Sequence, residues 1–433
     1  MAMYAAAEFH GRRDSATGLT ASGTGLAQLL MWLAMASGAV VLYEPAPYEV
    51  LFCGLLLLLP ALGALQFTPA IIAAMAVWLL VAAGGFVAGI YATDYSVPAK
   101  HTAISLFLSA TAVLVAAYTA RDPLKHGRVL LAGLAAGGIF TAAAGVLGYF
   151  SLMPGAWDLF TEFGRARALF KDPNVYGPFM LPGLLWCAHI FIHGSWRGSM
   201  VAMVCLPVLL AGLLVSFSRG AWLNAATAVA VYGCLAFVMA DTNRMRIRLA
   251  GSALAGLVLA GIAFAAVLQV PEVLDFLKER ATLLQDYDAG PTGRFAGQAK
   301  ALSLIAQHPL GIGALEFSSS HHPEDVHNVY LSMFLNAGWL GGFLYLGAVL
   351  VTLAAGLRAC LVSSPVQGLL MVAVASFAGL VFEGLVIDSD HWRHFYVVMG
   401  LIWGLLAAVP ARRTEVRRRP SPGFSRSGRS GEI

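Results

Sequence analysis

Two short groups of polar residues interrupt long apolar runs in this 433-residue chain, and each carries a side chain that could do chemistry. The first group, Ser218–Trp222, contains Arg219. The second, His327–Leu331, places a histidine at the start of another apolar run. Placing a charged or titratable side chain at the edge of a hydrocarbon layer costs free energy, so such a residue is a candidate functional residue. We therefore expect both groups to belong to a site.

Arginines are frequent in the two long loops that we assign below to the outer face of a membrane. Together with Arg219, the candidates are Arg165, Arg167, Arg280 and Arg294. Each alone is equally well explained as an interfacial anchor or a solvated charge. Their joint occurrence on one face favours a ligand, because guanidinium groups bind phosphate oxygens in bidentate fashion. The pattern predicts a phosphate-bearing ligand.

His327 could act as a general base. It lies at the start of a predicted long helix, where the positive end of the helix dipole disfavours imidazolium, although Glu324 and Asp325 act in the opposite direction. A neutral imidazole near physiological pH is what a general base requires. The alternative is a helix-start residue that bonds only to its own backbone.

Other chemistries find little support in the sequence. His321, His322 and His327 lack a carboxylate at convincing metal-ligand spacing, and the five cysteines form no CxxC pair. Gly311–Gly313 lacks the third glycine and the flanking strand of a dinucleotide site. Ser218 is not in a hydrolase GxSxG turn. We therefore expect no cofactor, no metal and no nucleic-acid partner.

The composition predicts the elements that position these residues. The chain is 59% hydrophobic and 12% charged, with a mean hydropathy of +0.75, which predicts an all-α, polytopic transmembrane protein. A span needs about 20 apolar residues. We predict about twelve spans, at 24–43, 48–66, 70–92, 102–119, 129–150, 176–193, 199–217, 221–240, 249–270, 327–356, 365–387 and 395–410.

Orientation follows from basic residues, most of which fall on the side that holds both termini. The positive-inside rule makes that side the cytoplasm. The long loops 151–175 and 271–326 then lie outside, in the periplasm. We divide the chain into a nine-span region (1–270), a periplasmic loop with amphipathic helices (271–326), a three-span region (327–410) and a disordered basic cytoplasmic tail (411–433).

The periplasmic loop contains two segments with helical spacing of apolar residues. The first covers 272–280 and places Arg280 on its apolar stripe. The second begins after Pro291–Gly293, carries Arg294 and Gln298, and ends at His308. Both could lie at the membrane surface, among its lipids, and lean over the spans.

The order of several short motifs resembles that of the O-antigen ligase/polymerase superfamily. The motifs are Arg165–Asn174, Ser218–Leu223, Thr292–Arg294, His308–Gly313, His327–Leu331 and Gly338–Gly341. The resemblance covers residues 160–350. Gln298 departs from it, since many relatives have an aromatic residue at this place, which puts a local packing or sugar-stacking contact in doubt.

The resemblance implies glycosyl transfer from an undecaprenyl-diphosphate-linked glycan, without nucleotide or metal, at the periplasmic side of the bacterial inner membrane. Arg219 and Arg294 would hold the diphosphate, with Arg280, Arg165 and Arg167 as weaker candidates. His327 would activate the acceptor hydroxyl. A lipid A–core ligase is favoured by the single compact loop between spans nine and ten. A polymerase that extends a growing O-antigen or exopolysaccharide chain is the alternative. A glycan transporter or flippase is less favoured, because the chain shows no internal repeat.

Overall fold

The computed structural model describes residues 21–267, 269, 290 and 293–410 of the chain. Its first five helices are α1 (Ala21–Ser37), α2 (Pro47–Ala61), α3 (Pro69–Gly89), α4 (Ser96–Arg121) and α5 (Pro123–Tyr149). They are followed by α6 (Ala156–Phe160), β1 (Thr161–Glu162), β2 (Arg165–Ala166), α7 (Pro173–Phe179) and α8 (Leu181–His193). Next come α9 (Trp196–Val215), α10 (Arg219–Val238) and α11 (Asn243–Val267). The last elements are α12 (Arg294–Gln307), a π-helical turn (Phe317–His321), α13 (Val329–Cys360), α14 (Gln367–Glu383) and α15 (Arg393–Leu406).

Short polar side chains mark where many of these helices begin. Such a side chain accepts a hydrogen bond from a backbone N–H of the first turn, which otherwise has no partner. Proline follows directly after three of these caps, where its missing N–H costs nothing. The capping residues are Thr68, Asp122, Asp172, Ser195, Ser218 and Asn328.

Each of the twelve predicted apolar runs coincides with a helix or with the α7–α8 pair. Among the described residues, seven helical segments are long and apolar enough to cross a membrane: 69–89, 96–121, 123–149, 173–193, 196–215, 219–238 and 329–360. Helices α2, α14 and α15 are apolar but shorter. The protein is therefore a multi-pass, helical membrane protein, and the number of twelve spans stays a prediction.

The helices pack through small residues. Helix α15 lies along α4, α13 along α3, and α14 along α10. At the α4–α15 contact, a Cβ atom on Gly400 would lie 2.3 Å from the carbonyl oxygen of Ala112. Glycine permits this close approach of two backbones, as is common between membrane helices.

Part of the predicted loop can be compared with the structure. The second amphipathic segment is α12, which ends at Gln307, next to the predicted end at His308. The predicted helix at 272–280, with Arg280, and the tail 411–433 lie outside the described residues.

Candidate functional site

Loops that we assigned to the outer face meet at one end of the helical bundle. Lys171 Nζ lies 3.0 Å from Glu44 Oε1, which joins the 151–172 loop to the segment between α1 and α2. The Thr93 hydroxyl, between α3 and α4, donates a 2.6 Å hydrogen bond to Glu316. These contacts place loops from distant parts of the chain beside one another, and the candidate residues lie among them.

Arg219 is the first residue of α10. The Ser218 hydroxyl caps the helix by accepting from Ala221 N at 3.2 Å, so the arginine is held at the helix start, where it is half-buried. The next residue, Gly220, packs against the end of α14, where an added Cβ would lie 2.8 Å from Glu383 Oε1. Glu383 is buried and accepts a 2.7 Å hydrogen bond from Asn224. A larger residue in place of Gly220 would displace the Glu383 carboxylate.

Arg165 is buried, with 8% of its surface exposed. It lies on β2 of a two-stranded hairpin, paired across from Glu162. Its Nε donates to the carbonyl oxygen of Ser216 at 2.9 Å, and its Nη2 donates to Asn174 Oδ1 at 2.7 Å. The same Asn174 oxygen accepts from the Ser218 hydroxyl at 2.9 Å. Arg165 therefore ties the hairpin to the turn that leads into α10.

Arg167 forms an ion pair with Glu162, with 3.0 Å between Nη1 and Oε2. Both side chains are partly exposed, so the pair lies at the surface of the hairpin. The structure therefore brings Arg165 and Arg167 to the candidate site as residues that already bond to protein groups.

Arg294 is the first residue of α12 and is half-buried. The following turn packs against the segment before α13: Gly297 lies against the ring of His322, and Gln298 Nε2 lies 3.5 Å from the His327 carbonyl oxygen. Arg294 is close enough to His327 for its charge to influence the titration of the imidazole. The structure thus brings these two predicted site residues together.

His327 has a left-handed backbone conformation, with φ of 53°. Histidine adopts this region more readily than most residues, but it remains uncommon. Asn328 follows as the cap of α13 and accepts from Tyr330 N and Leu331 N. The imidazole is 31% exposed and lies 3.9 Å from Glu324 Oε2. The turn therefore presents the ring at the protein surface immediately before the helix.

The pKa of His327 lies below its usual value. Burial is the largest cause and the positive charge of Arg294 is the second, whereas the carboxylates of Asp325, Glu324 and Asp172 act in the opposite direction. The lowered pKa favours the neutral imidazole. This is the state that a general base requires.

Asp388 holds the turn of His327 and was missed as a site residue by sequence reasoning. Its Oδ2 accepts from His327 N at 2.9 Å, and its Oδ1 accepts from the Ser332 hydroxyl at 2.5 Å. Burial raises the pKa of Asp388 to about 7, although both hydrogen bonds act to lower it. A signal existed, since residues 388–391 form a third polar group between apolar runs, comparable with the two that drew attention to Arg219 and His327.

The Gly311–Gly313 segment has a structural role. Ile312 N donates to the Leu335 carbonyl oxygen at 2.8 Å, and Trp339 N donates to that of Pro309 at 2.8 Å. The loop thereby docks on a break in α13 at Gly338, which has φ of 69°. A Cβ on Gly338 would lie 2.8 Å from the Pro309 carbonyl oxygen. These glycines permit close backbone contact between the loop and α13.

One group of described residues has spacing suited to a metal ion, and it differs from the histidines weighed in the sequence. His101, Asp390 and His391 offer one ligand atom each, and these atoms lie within 4.8 Å of one another. Asp390 and His391 belong to the loop that carries Asp388, and His101 lies near the start of α4. The expectation of no metal therefore stays a prediction.

Comparison with known families supports the interpretation of the motifs. Residues 201–346 match the family described as O-antigen ligase (Wzy_C). The matched stretch contains Arg219, Arg294 and His327, whereas Arg165 and Arg167 precede it. No curated protein matches the chain. The match confirms, over residues 201–346, the resemblance to the O-antigen ligase superfamily that the order of the motifs had indicated.

Proposed function

We propose that this protein is an O-antigen ligase-like glycosyltransferase that moves a glycan from undecaprenyl diphosphate to an acceptor hydroxyl of lipid A–core. The reaction takes place at the periplasmic face of the bacterial inner membrane. One observation supports the proposal. Within the family-matched stretch, the imidazole of His327 is partly exposed, and the nearby positive charge of Arg294 helps to lower its pKa. A base and a phosphate-binding cation are the two groups that this transfer needs.

In the proposed reaction His327 takes the proton of the acceptor hydroxyl as its oxygen attacks the anomeric carbon. The bond between that carbon and the diphosphate oxygen breaks, and the electron pair leaves with the diphosphate. Arg219 and Arg294 stabilise the negative charge that develops there. The donor is already activated by its diphosphate, so this transfer needs neither a nucleotide nor a metal.

The remaining candidates receive different roles. Arg165 and Arg167 bond to Ser216, Asn174 and Glu162, and we assign them to holding the hairpin against the site. Arg280 lies outside the described residues, and its role in diphosphate binding stays a prediction. Asp388 is a positioning residue, because its carboxylate bonds the backbone of His327.

Acceptor choice separates a ligase from a polymerase. Both enzymes use the same donor and the same chemistry, and they differ in whether the hydroxyl belongs to lipid A–core or to a growing lipid-linked glycan. Purified protein supplied with donor and with each acceptor in turn distinguishes them. We expect transfer to lipid A–core, and transfer to the lipid-linked glycan alone would make the protein a polymerase.

The proposed orientation can be measured by cysteine labelling. Asp158, in α6, and Arg246, in the first turn of α11, are exposed and lie in segments that we assign to opposite faces. In a variant without native cysteines, an impermeant thiol reagent added to the periplasmic side should label Asp158→Cys and leave Arg246→Cys unlabelled. The reverse pattern would overturn the orientation and the function proposed for the outer face.

Replacement of His327 tests the general base. General-base catalysis contributes about 10²–10⁴-fold, and we expect this loss of transfer in His327→Gln, which keeps a hydrogen-bonding side chain without its basicity. Transfer from undecaprenyl-diphosphate glycan to purified acceptor is measured beside donor binding, which should persist. Wild-type turnover by His327→Gln would show that the imidazole only orients the acceptor.

Two further variants separate chemistry from folding. His327→Asn suits the left-handed backbone at this position and should fail as completely as the glutamine variant. His308→Gln replaces an exposed histidine of the same segment and should retain full activity. Loss of donor binding in His327→Ala would instead move this residue to the phosphate site.

A further inference from the structure

Three side chains with metal-binding atoms meet between α4 and the loop that joins α14 to α15. His101 Nε2 lies 3.4 Å from Asp390 Oδ2, and His391 completes a group whose ligand atoms are all within 4.8 Å of one another. Ligand atoms around a tetrahedral zinc ion at about 2.0–2.1 Å lie roughly 3.3–3.5 Å apart. The distance between His101 Nε2 and Asp390 Oδ2 therefore already matches that between two ligand atoms of one zinc ion.

The Asp390 carboxylate is buried. Only 6% of the residue is exposed, and within the described part of the chain Oδ2 accepts no hydrogen bond. The ion pairs of that part give it no lysine or arginine partner, and its neighbour is the imidazole of His101. A buried carboxylate needs a compensating charge, which a divalent cation supplies.

The surroundings orient the donors. One ring nitrogen of His391, Nε2, lies 2.9 Å from the Ser105 hydroxyl and 3.2 Å from the His101 carbonyl oxygen, and these contacts fix the orientation of the ring. The Tyr396 hydroxyl donates to the Asp390 carbonyl oxygen at 2.8 Å. Bonds of this kind to the second nitrogen of a histidine are typical around metal ligands.

Space for a further ligand lies beside His101. A cavity of about 30 Å³, enough for one water molecule, is lined by His101, Ser105, Asn336 and Tyr396 among others, and of the three ligand residues His101 alone borders it. The rings of His101 and His391 stack with their centroids 3.8 Å apart, so a bound cation would splay them by rotation of the side chains.

We infer that His101, Asp390 and His391 bind a divalent transition-metal cation such as Zn²⁺, with a water molecule as a further ligand. Two imidazoles and one carboxylate suit such cations better than Mg²⁺ or Ca²⁺, which prefer oxygen. The cation would tie α4 to the 384–392 loop, whose Asp388 bonds the backbone of His327. The ion would hold these two elements together and take no part in the transfer step, which stays metal-free. Its binding can therefore be tested without measuring transfer.

The test is titration of the purified, chelator-treated full chain with Co²⁺, followed by the visible absorbance of the bound ion and by competition with Zn²⁺. We expect saturation at one equivalent and at least tenfold weaker binding in Asp390→Asn and in His391→Gln. His126→Gln replaces a buried histidine that bonds the Tyr118 carbonyl oxygen and should bind like the wild type. Unchanged binding in the Asp390→Asn/His391→Gln double variant would overturn the inference.

A second measurement needs no variant. X-ray absorption of the zinc-loaded wild type should show nitrogen and oxygen ligands with the scattering pattern of two imidazoles. Thermal unfolding should also shift to higher temperature with Zn²⁺, because the ion binds the folded state. Absence of a stoichiometric ion in the wild type, or a ligand set without imidazole, would refute the site even if both variants failed to fold.

Discussion

The arginines of the hairpin and those at the helix starts meet the bundle in different ways. Arg165 is buried, and two atoms of its guanidinium group donate to Ser216 and Asn174. Arg219 and Arg294 are each the first residue of a helix and are half-buried. In the sequence all three are arginines on one face, within motifs of one family.

The same residue type, in motifs of one resemblance, therefore has different surroundings. Arg165 is buried and donates to backbone and amide oxygens at 2.7–2.9 Å, which makes it part of the scaffold. We propose diphosphate binding for Arg219 and Arg294, and substitutions that keep the charge but remove the planar guanidinium group test this assignment.

The largest expected effect follows from Arg219→Lys and Arg294→Lys. Lysine keeps the charge but cannot bind two phosphate oxygens with one planar group. Loss of one preorganised donor to a developing negative charge costs about 10²–10³-fold in rate, and we expect a loss of this size from each variant in the transfer assay. Near-full transfer by both variants would make them anchors and place the diphosphate elsewhere.

A stability effect is expected on the hairpin. Arg165→Lys leaves buried oxygens of Ser216 and Asn174 without one of their donors, which costs about 1–3 kcal/mol of unfolding free energy. Arg167→Lys is the matched control, because its ion pair with Glu162 is partly exposed and such pairs contribute about 1 kcal/mol or less. Thermal unfolding in detergent compares the two. An Arg165→Lys protein as stable as Arg167→Lys, but without donor binding, would move Arg165 to the diphosphate site.

The smallest effect concerns pH. Transfer requires neutral His327, so the rate should fall on the acidic side as the imidazole becomes protonated. Arg294 lowers the pKa of His327, and Arg294→Gln should therefore shift this acidic limb to higher pH. Asp325 raises that pKa and is exposed, so Asp325→Asn should shift the limb to lower pH. The pH dependence of the relative rate checks both, and shifts in the same direction would contradict His327 as the titrating base.

Local pattern was enough to predict the helices, because each apolar run is continuous in the sequence and needs a helix to satisfy its backbone in lipid. The two polar groups at 218–222 and 327–331 drew attention to Arg219 and His327, whose roles stay predictions. Contacts between distant residues could not be predicted. The bond from His327 N to Asp388 and the burial of Arg165 beneath Ser216 join segments 61 and 51 residues apart. The left-handed backbone of His327 has no signature of its own in the sequence.

The break of α13 at Gly338 divides one long helix, a candidate membrane span over 329–360, into two parts. The 308–313 loop bonds to both parts, because Ile312 N donates to Leu335 before the break and Trp339 N donates to Pro309 after it. The loop therefore acts as a splint across the break. We expect the two parts, and with them the turn that carries His327, to move as one unit.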